Sequence, residues 1–375
     1  MKAKLFRVSV TLIALILSSC SIVKEKYAAI ANFEYQRKIE RHPYDDGAAT
    51  KATFDNPFAI TIDTKNDLYV TESQRGVIRK ISKDGSVITL AQTIRSTAAY
   101  DKVGADACFY RPTGIVATPD GSLYITHSAW SIICKISADG TVTLFSGQVE
   151  TRGHQDGDAS IATLYNPLGI SVDKEGDIYI VDNKARTIRK ISKDGNVLTI
   201  AGISGESSHQ DGPVAIASFS RPHDTAVDSI GNIYVTDFWD HTIRKIGLDS
   251  TVTTLAGSPD VEGYVDGVGS DSLFNVPLGI TIDRMDNIYV ADRYNHVIRK
   301  ITPRGKVTTY AGAGGISGYK NGIYSDAKFN LPSDLAMDSF GNLFVVDSGN
   351  KVIRKITPEG VVSTYSGVSK QPLDE

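Results

Sequence analysis

Residues Asn275–Gly312, NVPLGITIDRMDNIYVADRYNHVIRKITPRGKVTTYAG, decide the fold, because five variants of this stretch fill most of the remaining sequence. One proline marks the same place in each copy: Pro57, Pro112, Pro167, Pro222, Pro277 and Pro332. Successive prolines are 55 residues apart, so six copies account for most of the 375 residues. A repeat with a period near 50 residues is typical of propellers and solenoids.

Each copy contains four short runs that are rich in β-branched and aromatic residues and that predict strands. In the fifth copy these runs are Gly279–Asp283, Asn287–Asp292, Val297–Thr302 and Val307–Gly312. Turns with glycine, such as Asp84-Gly85, separate the third run from the fourth, as tight hairpins require. The sequence therefore predicts an all-β fold, a six-bladed β-propeller with four antiparallel strands per blade.

Three segments of the fifth copy, Pro277–Ile280, Asn287–Asp292 and Asn295–Lys300, resemble the NHL repeat, which is named after an Asn-His-Leu run. The resemblance extends over residues 46–367 and implies a propeller. The family it implies includes binding modules, RNA-binding regulators, sensor domains and a few lyases. Function therefore has to be sought in this chain's own residues.

The first 20 residues resemble a bacterial lipoprotein signal peptide. Three cations open the segment: Lys2, Lys4 and Arg7. An apolar run, Val8–Leu17, follows, and residues 17–20, Leu-Ser-Ser-Cys, resemble a lipobox. An ordinary signal peptide or a short anchor is the alternative, although the run is too short to span a bilayer. We expect lipid on Cys20 and a place in the cell envelope; Ser21 favours the outer membrane, with periplasmic or surface display left open.

The remaining chain divides into a tether, residues 21–45, a propeller, residues 46–367, and a short tail, residues 368–375. Residues 46–57 match the loop that joins two blades, but no blade precedes them. We expect this segment to dock against the last strand, Val362–Gly367, and to close the ring without exchanging a strand.

Charge and cysteine content exclude some classes of function. The formal net charge is −3, and removal of the three cations before Cys20 changes it to −6. A net negative charge does not indicate the basic surface that binds nucleic acid. Cys108 and Cys134 remain after lipidation. A disulfide between them and two unpaired core thiols are both compatible with the sequence.

Repeated charges on the predicted strands indicate a structural network, because a catalytic pair is not needed five times. Aspartates end the first strands: Asp63, Asp173, Asp228, Asp283 and Asp338. Acids end the second strands: Glu72, Asp182, Asp237, Asp292 and Asp347. Arginines lie in the third strands: Arg79, Arg189, Arg244, Arg299 and Arg354. Blade two has Thr118, His127 and Cys134 instead, as expected if all three positions form one network.

The copies differ most on one side of the predicted ring, which we call the loop face. It carries the starts of the first strands, the loops between strands two and three, and the loops that join blades. There we place the candidate ligand-binding residues: Trp130, His223, Asp224, Phe238, Trp239, Arg293, Tyr294 and Asp334. Aromatic rings beside acids and an arginine suit a sugar or peptide. The alternative is that the rings only pack over neighbouring blades.

The favoured function is a lipid-anchored binding or scaffold module for a protein, peptide or glycan, without cofactor or metal. The alternative is a metal-assisted lactonase, another hydrolase or a lyase with its site in the central channel. There His223 would act as base while Asp224 and Asp334 hold a cation. A zinc lyase of the related amidating type needs several channel histidines, and a calcium lactonase needs more oxygen ligands than these two acids supply.

Overall fold

The computed structural model describes residues 46–92, 109, 111–149, 151–369 and 372–374, which form a six-bladed β-propeller. Six antiparallel sheets follow one another in chain order. The innermost strand of each blade contacts that of the next blade, and the innermost strands of blades one and six also touch, which closes the ring. The predicted fold class is confirmed. The predicted signal peptide and tether lie outside the described residues.

The bounds of the four main strands repeat with the period of the sequence. The first, innermost strands are Pro57–Ile62, Pro112–Ala117, Pro167–Val172, Pro222–Val227, Pro277–Ile282 and Pro332–Met337. The second strands are Leu68–Glu72, Leu123–His127, Ile178–Asp182, Ile233–Asp237, Ile288–Asp292 and Leu343–Asp347. The third strands are Val77–Ile81, Ile132–Ile136, Thr187–Ile191, Thr242–Ile246, Val297–Ile301 and Val352–Ile356. The fourth strands are Ser86–Gln92, Val142–Ser146, Asn196–Ala201, Thr251–Ala256, Lys306–Ala311 and Val361–Ser366.

Five blades carry an additional two-residue edge strand that the sequence analysis did not predict. These strands are Gly47–Ala48, Gly157–Asp158, Gly212–Pro213, Gly267–Val268 and Gly322–Ile323. Each pairs with the fourth strand of its blade, as Gly157 does with Val197. The corresponding segment of blade two lies outside the described residues. Short 3-10 turns occur at Gly269–Asp271, Arg293–Asn295 and Tyr324–Asp326.

Every innermost strand begins at a proline. Proline has no backbone N–H, and at the first position of a strand no hydrogen bond to the neighbouring strand is lost. A register shift follows the proline; in blades four and six it lies between Pro222 and Asp224 and between Pro332 and Asp334. Such bulges bend a strand and redirect the side chains beside them. The bulge therefore places variable residues at the mouth of the central channel.

The core consists of hydrophobic layers between neighbouring blades. One layer joins Tyr179 and Ile188 of blade three to Phe219 and Val235 in the next repeat, and all four side chains are buried. The other junctions repeat this arrangement. In the described residues, no helix has the length and apolar character needed to cross a membrane.

The predicted closing segment docks between blades six and one. Phe54 is buried in one cluster with Phe344 of blade six. The backbone N–H of Gly367 donates to the carbonyl of Ala49 at 2.8 Å. Gly47–Ala48 pairs within blade one, so no strand is exchanged across the junction.

A buried arginine joins the second and third strands in five blades, as predicted. In blade five Nη1 of Arg299 donates to Asp292 and Nη2 donates to Asp266, each at 2.8 Å. The ion pairs at the other positions are Arg79–Glu72, Arg189–Asp182, Arg244–Asp237 and Arg354–Asp347. All of these arginine side chains are buried. The planar guanidinium thus bridges two strands and the loop that joins the blades.

The prediction that the first-strand aspartates belong to this network is wrong. Asp283 instead accepts hydrogen bonds from the backbone N–H groups of Met285 and Asn287 and from the hydroxyl of Tyr289. It caps the turn between strands one and two. Because adjacent strands are antiparallel, the end of the first strand lies at the opposite end of the blade from Asp292. The other first-strand aspartates make equivalent turn contacts: Asp63, Asp173, Asp228 and Asp338.

Blade two replaces the network with His127 and Cys134, which are both buried. The ring of His127 stacks on Phe109 with a centroid distance of 5.2 Å. The hydroxyl of Thr118 still caps the first turn, by donating to Asp120. Cys108 lies outside the described residues, so its relationship to Cys134 stays a prediction.

Candidate functional site

The innermost strands of all six blades surround a central cavity of about 220 Å³. His223, Asp224 and Asp334 all line it, so the structure brings together the three residues of the catalytic alternative. The two aspartates come from blades four and six. Each follows the bulge after its proline, which turns the side chain towards the channel.

Each oxygen of the two carboxylates accepts one backbone N–H group. Asp224 accepts from Thr225 at 2.8 Å and from Ile280 of blade five at 3.0 Å. Asp334 accepts in the same way from Leu335 and from Ile60 of blade one. Each aspartate therefore bridges its own blade to the next blade of the ring.

Glycine in the preceding blade makes room for each aspartate. A Cβ added to Gly169 would lie 2.1 Å from Oδ1 of Asp224, and one added to Gly279 would lie 2.4 Å from Oδ1 of Asp334. Neither distance is possible for real atoms. Glycine in blades three and five, beside the aspartate of the next blade, is thus a steric requirement.

Burial and the closeness of the two carboxylates raise the pKa values in this pair of acids. Burial raises the pKa of Asp224 to about 7, against the opposing effect of its two N–H donors. Burial also raises the pKa of Asp334 well above its ordinary value, and the negative charge of Asp224 raises it further. Two carboxylates that share a site disfavour double ionisation. The pair thus tends to hold a proton near neutral pH.

His223 and Phe58 meet at the mouth of the channel although they come from blades four and one. Their ring centroids are 5.9 Å apart. His223 is buried and its Nδ1 has no hydrogen-bond partner. Burial, together with the positive charge of Arg293, lowers the pKa of His223 to about 3. The imidazole is therefore neutral and packs as an aromatic ring.

An aromatic cluster continues outward from His223. The ring of Phe238 lies edge-on to His223 at 5.7 Å, and Trp239 lies edge-on to Phe238 at 5.7 Å. The guanidinium of Arg221 covers both Phe238 and Trp239, at 5.8 and 5.5 Å from the ring centroids. Trp239 is nevertheless 58% exposed. The indole is held in place while a large part of its surface stays open to a ligand.

Arg293 and Tyr294 occupy the same loop in blade five. Nη1 of Arg293 donates to the carbonyl of Leu331 at 3.1 Å, which directs the arginine towards blade six. Tyr294 is 53% exposed and shares its repeat position with Trp239. Both exposed rings therefore project from the loop face.

Trp130 is separate from this group. It stacks on His127 and packs against the core cluster of blades one and two. Its position in the repeat follows that of Trp239 by one residue, and Ala185, Asp240 and Asn295 at this position are buried. The alternative interpretation, a ring that packs over its blade, fits Trp130.

Sequence reasoning missed two members of the cluster, Phe58 and Arg221. Arg221 stands before the repeat's proline, where the copies have Asn56, Arg111, Asn166, Val276 and Leu331. This variability on the loop face is the available sequence signal. Nothing in the repeat predicts that Phe58 reaches His223 across the ring.

The histidines of the repeat's signature position are structural. Nδ1 of His241 accepts the backbone N–H of Val276, and Nδ1 of His296 accepts that of Leu331, each at 3.1 Å. Val276 and Leu331 have positive φ angles of 57° and 52°. Such a backbone is unfavourable for these residue types, and the hydrogen bonds help to fix it between adjacent blades.

The acidic and histidine side chains that line the channel are Asp224, Asp334 and His223, an incomplete ligand set for a metal ion. All four carboxylate oxygens of Asp224 and Asp334 already accept backbone N–H groups. Within the described ranges, no group of three or more histidine, cysteine or acidic side chains is placed to ligate an ion.

Comparison with known sequences identifies the repeat. The profile of the Teneurin NHL domain matches residues 148–216, and that of the NHL repeat matches residues 219–246 and 274–301. The chain is an NHL-repeat β-propeller. This NHL propeller is 26% identical over 344 residues to NHL repeat-containing protein 2 of Bos taurus, covering 84% of the present chain and 40% of the relative. It thus spans less than half of that relative.

Solved structures share the ring architecture of the NHL propeller. An auxiliary nutrient binding protein from Bacteroides thetaiotaomicron has a TM-score of 0.63 and 20% identity, with 86% of this chain and 72% of that chain covered. Virginiamycin B lyase from Staphylococcus aureus has a TM-score of 0.54 and 16% identity, with 84% and 85% covered. At these identities the likeness concerns the fold alone.

Proposed function

We propose that the NHL propeller is a non-catalytic binding module whose loop face presents an aromatic ridge, Trp239 and Tyr294, to a protein, peptide or glycan. The observation that carries this proposal is Trp239, which is more than half exposed although Phe238 and Arg221 hold its ring. An exposed ring that is already ordered offers stacking area at a low entropic cost. Arg221 and Arg293 add hydrogen-bond donors beside the ridge.

The fold does not choose between binding and catalysis. Related rings include a nutrient binding protein and a lyase, so the residues of this chain must decide. The catalytic alternative gains support from the cavity that joins His223, Asp224 and Asp334. The hydrogen bonds of Asp224 and Asp334, however, join neighbouring blades. His223 is neutral, buried and packed between aromatic rings, so it is poorly placed to take a proton from a substrate.

The binding proposal is tested with glycan and peptide arrays probed by the purified propeller, followed by titration of the best ligand. Trp239→Ala and Tyr294→Ala should each weaken binding at least about tenfold, as expected for central aromatic contacts. Phe340→Ala is the matched control, because Phe340 is 73% exposed in a turn on the opposite face. Equal affinities for Trp239→Ala and Phe340→Ala would overturn the proposal.

The place of the module in the cell is a second part of the proposal. Its support is the lipobox-like run that ends at Cys20. Two or more acyl chains on one cysteine hold a protein durably at a membrane, whereas one chain does not. In a bacterial host, Cys20→Ser should abolish fatty-acid labelling and release the protein from the membrane fraction, and Cys108→Ser should change neither. Unchanged labelling in Cys20→Ser would refute lipidation there.

A further inference from the structure

Three cationic side chains converge on a second pocket of the loop face, between blades two and three. The pocket has a volume of about 230 Å³, and Arg111, Arg152 and Lys184 line it together with Tyr165. Arg111 precedes the innermost strand of blade two, Arg152 lies in the loop that joins the two blades, and Lys184 lies in the loop between strands two and three of blade three. Three separate segments therefore direct positive charge into one place.

No acid neutralises this charge within the described part of the chain. The pocket lining contains no carboxylate. Cations elsewhere on the ring do have partners, such as Arg75 with Asp55 at 3.0 Å and Lys190 with Asp177 at 2.6 Å. Three like charges around one pocket repel one another, and a bound anion would relieve that repulsion.

Tyr165 forms an aromatic wall that orients two of the cations. The guanidinium of Arg152 lies 5.9 Å and the ammonium of Lys184 lies 5.5 Å from its ring centroid. The backbone N–H of Tyr165 donates to Asp182 at 2.8 Å, and its carbonyl accepts from the N–H of Lys184. The ring therefore has a fixed backbone, and cation–π attraction favours a cluster that is ordered before a ligand arrives.

The repeat itself does not impose this combination. The positions of Arg111, Arg152 and Lys184 are occupied by Asn166, Ser207 and Trp239 at the next junction. At the two later junctions they are occupied by Arg221, Glu262 and Tyr294, and by Val276, Ser317 and Gly349. A scaffold role would be met equally well by these neutral or mixed sets. The triple cation is thus specific to one junction.

We infer that this pocket binds a doubly charged oxyanion, a phosphate or sulfate group carried by a small ligand. Guanidinium groups offer planar pairs of donors that match such oxygens, and the lysine adds a point charge. A single carboxylate would leave most of the cationic charge uncompensated. The site shares no residue with the aromatic ridge, so it stands whether or not the ridge binds a ligand.

Isothermal titration of the purified propeller at constant ionic strength tests the inference, with inorganic phosphate, inorganic sulfate and acetate as probes. Phosphate or sulfate should bind saturably and more tightly than acetate. Arg111→Gln and Lys184→Gln should each weaken that binding about tenfold, the effect of losing one charge-assisted contact. The order of affinity between phosphate and sulfate identifies the group that the natural ligand carries.

Matched controls separate the pocket from general charge effects. Lys193→Gln and Arg304→Gln remove the same charges from exposed turns on the opposite face and should leave the affinity unchanged. Thermal unfolding of every variant checks the fold, which should be unaffected because Arg111 and Lys184 are exposed. The inference is wrong if neither phosphate nor sulfate binds saturably, or if acetate binds equally well. It is also wrong if the pocket variants and the control variants have equal affinities.

Discussion

Asp334 and Ile60 are 274 positions apart in the chain, yet the backbone N–H of Ile60 donates to Oδ2 of Asp334 at 2.7 Å. This hydrogen bond crosses the junction between the last blade and the first. Asp224 makes the same contact with Ile280 inside the ring. Asp334 and Asp224, which the sequence offers as candidate catalytic acids, thus each form a hydrogen bond between blades, which we call a clasp.

Removal of either clasp should destabilise the propeller. Asp334→Ala leaves the N–H groups of Ile60 and Leu335 without their acceptor, and a buried unpaired donor costs about 1–3 kcal/mol. We expect a loss in that range from urea unfolding, and a similar loss for Asp224→Ala. Glu175→Ala, at an exposed turn, is the control and should have little effect. A stability of Asp334→Ala equal to that of the control would contradict the clasp.

The raised pKa of Asp224 gives stability a definite pH dependence. The folded pKa of about 7 exceeds the ordinary value of 3.8, so the folded state binds more protons between these values. The contribution of Asp224 to stability is therefore present at low pH and is lost as the pH rises towards 7. Urea unfolding at several pH values should show the wild type losing stability relative to Asp224→Asn across this window. Parallel profiles would show that Asp224 titrates normally.

The signature histidine of blade five should act with the opposite sign. Burial, and then the charge of Arg293, lowers the pKa of His296 below its ordinary 6.5, so the unfolded state binds the proton more readily. Its contribution is present above pH 6.5 and is lost as the pH falls. In His296→Asn, which keeps an acceptor and tolerates positive φ, this acid-side loss should be smaller. Unfolding measurements on both proteins at several pH values below 6.5 measure this loss of stability. Identical slopes of stability against pH would exclude a contribution from His296.

The buried arginine network predicts strong coupling between its members. Arg299→Cys leaves Asp292 as an uncompensated buried charge, which costs about 3–5 kcal/mol. Asp292→His with Arg299→Cys reproduces the pair found in blade two, His127 and Cys134, and should lose less than the sum of the single changes. A double-mutant cycle measured by urea unfolding tests this. The exposed pair Lys174–Glu175 provides the control cycle, with coupling near zero. Additivity in blade five would refute the network.

Removal of metal distinguishes the binding module from the catalytic alternative. Because each oxygen of Asp224 and Asp334 already accepts a backbone N–H and the channel lining adds no further acid, we expect no stoichiometric ion and no change of melting temperature on adding chelator, calcium or zinc. Elemental analysis and thermal unfolding measure both, since a bound ion stabilises the folded state to a degree set by its affinity and concentration. An ion that only chelator removes would favour the channel site and direct assays to lactone and ester substrates.

The repeat made most of the architecture predictable. In the fifth copy, no end of a predicted strand differs from the observed end by more than two residues. The edge strands escaped prediction because two residues such as Gly157–Asp158 are too short to show a period. The role of Asp283 was misjudged because an antiparallel blade separates the two strand ends that the repeat places close together in sequence.

The sequence by itself determined the ring, its six blades, the closing segment and the face on which the copies diverge, because periodic hydrophobic residues and glycine turns are local and repeat six times. It also determined the residue types at the loop face. Only the tertiary structure decided that His223 meets Phe58, that Trp130 packs inward while Trp239 stays exposed, and that Arg111, Arg152 and Lys184 share one pocket. These relations join different blades or depend on a one-residue offset, and only the closed ring fixes distances between blades.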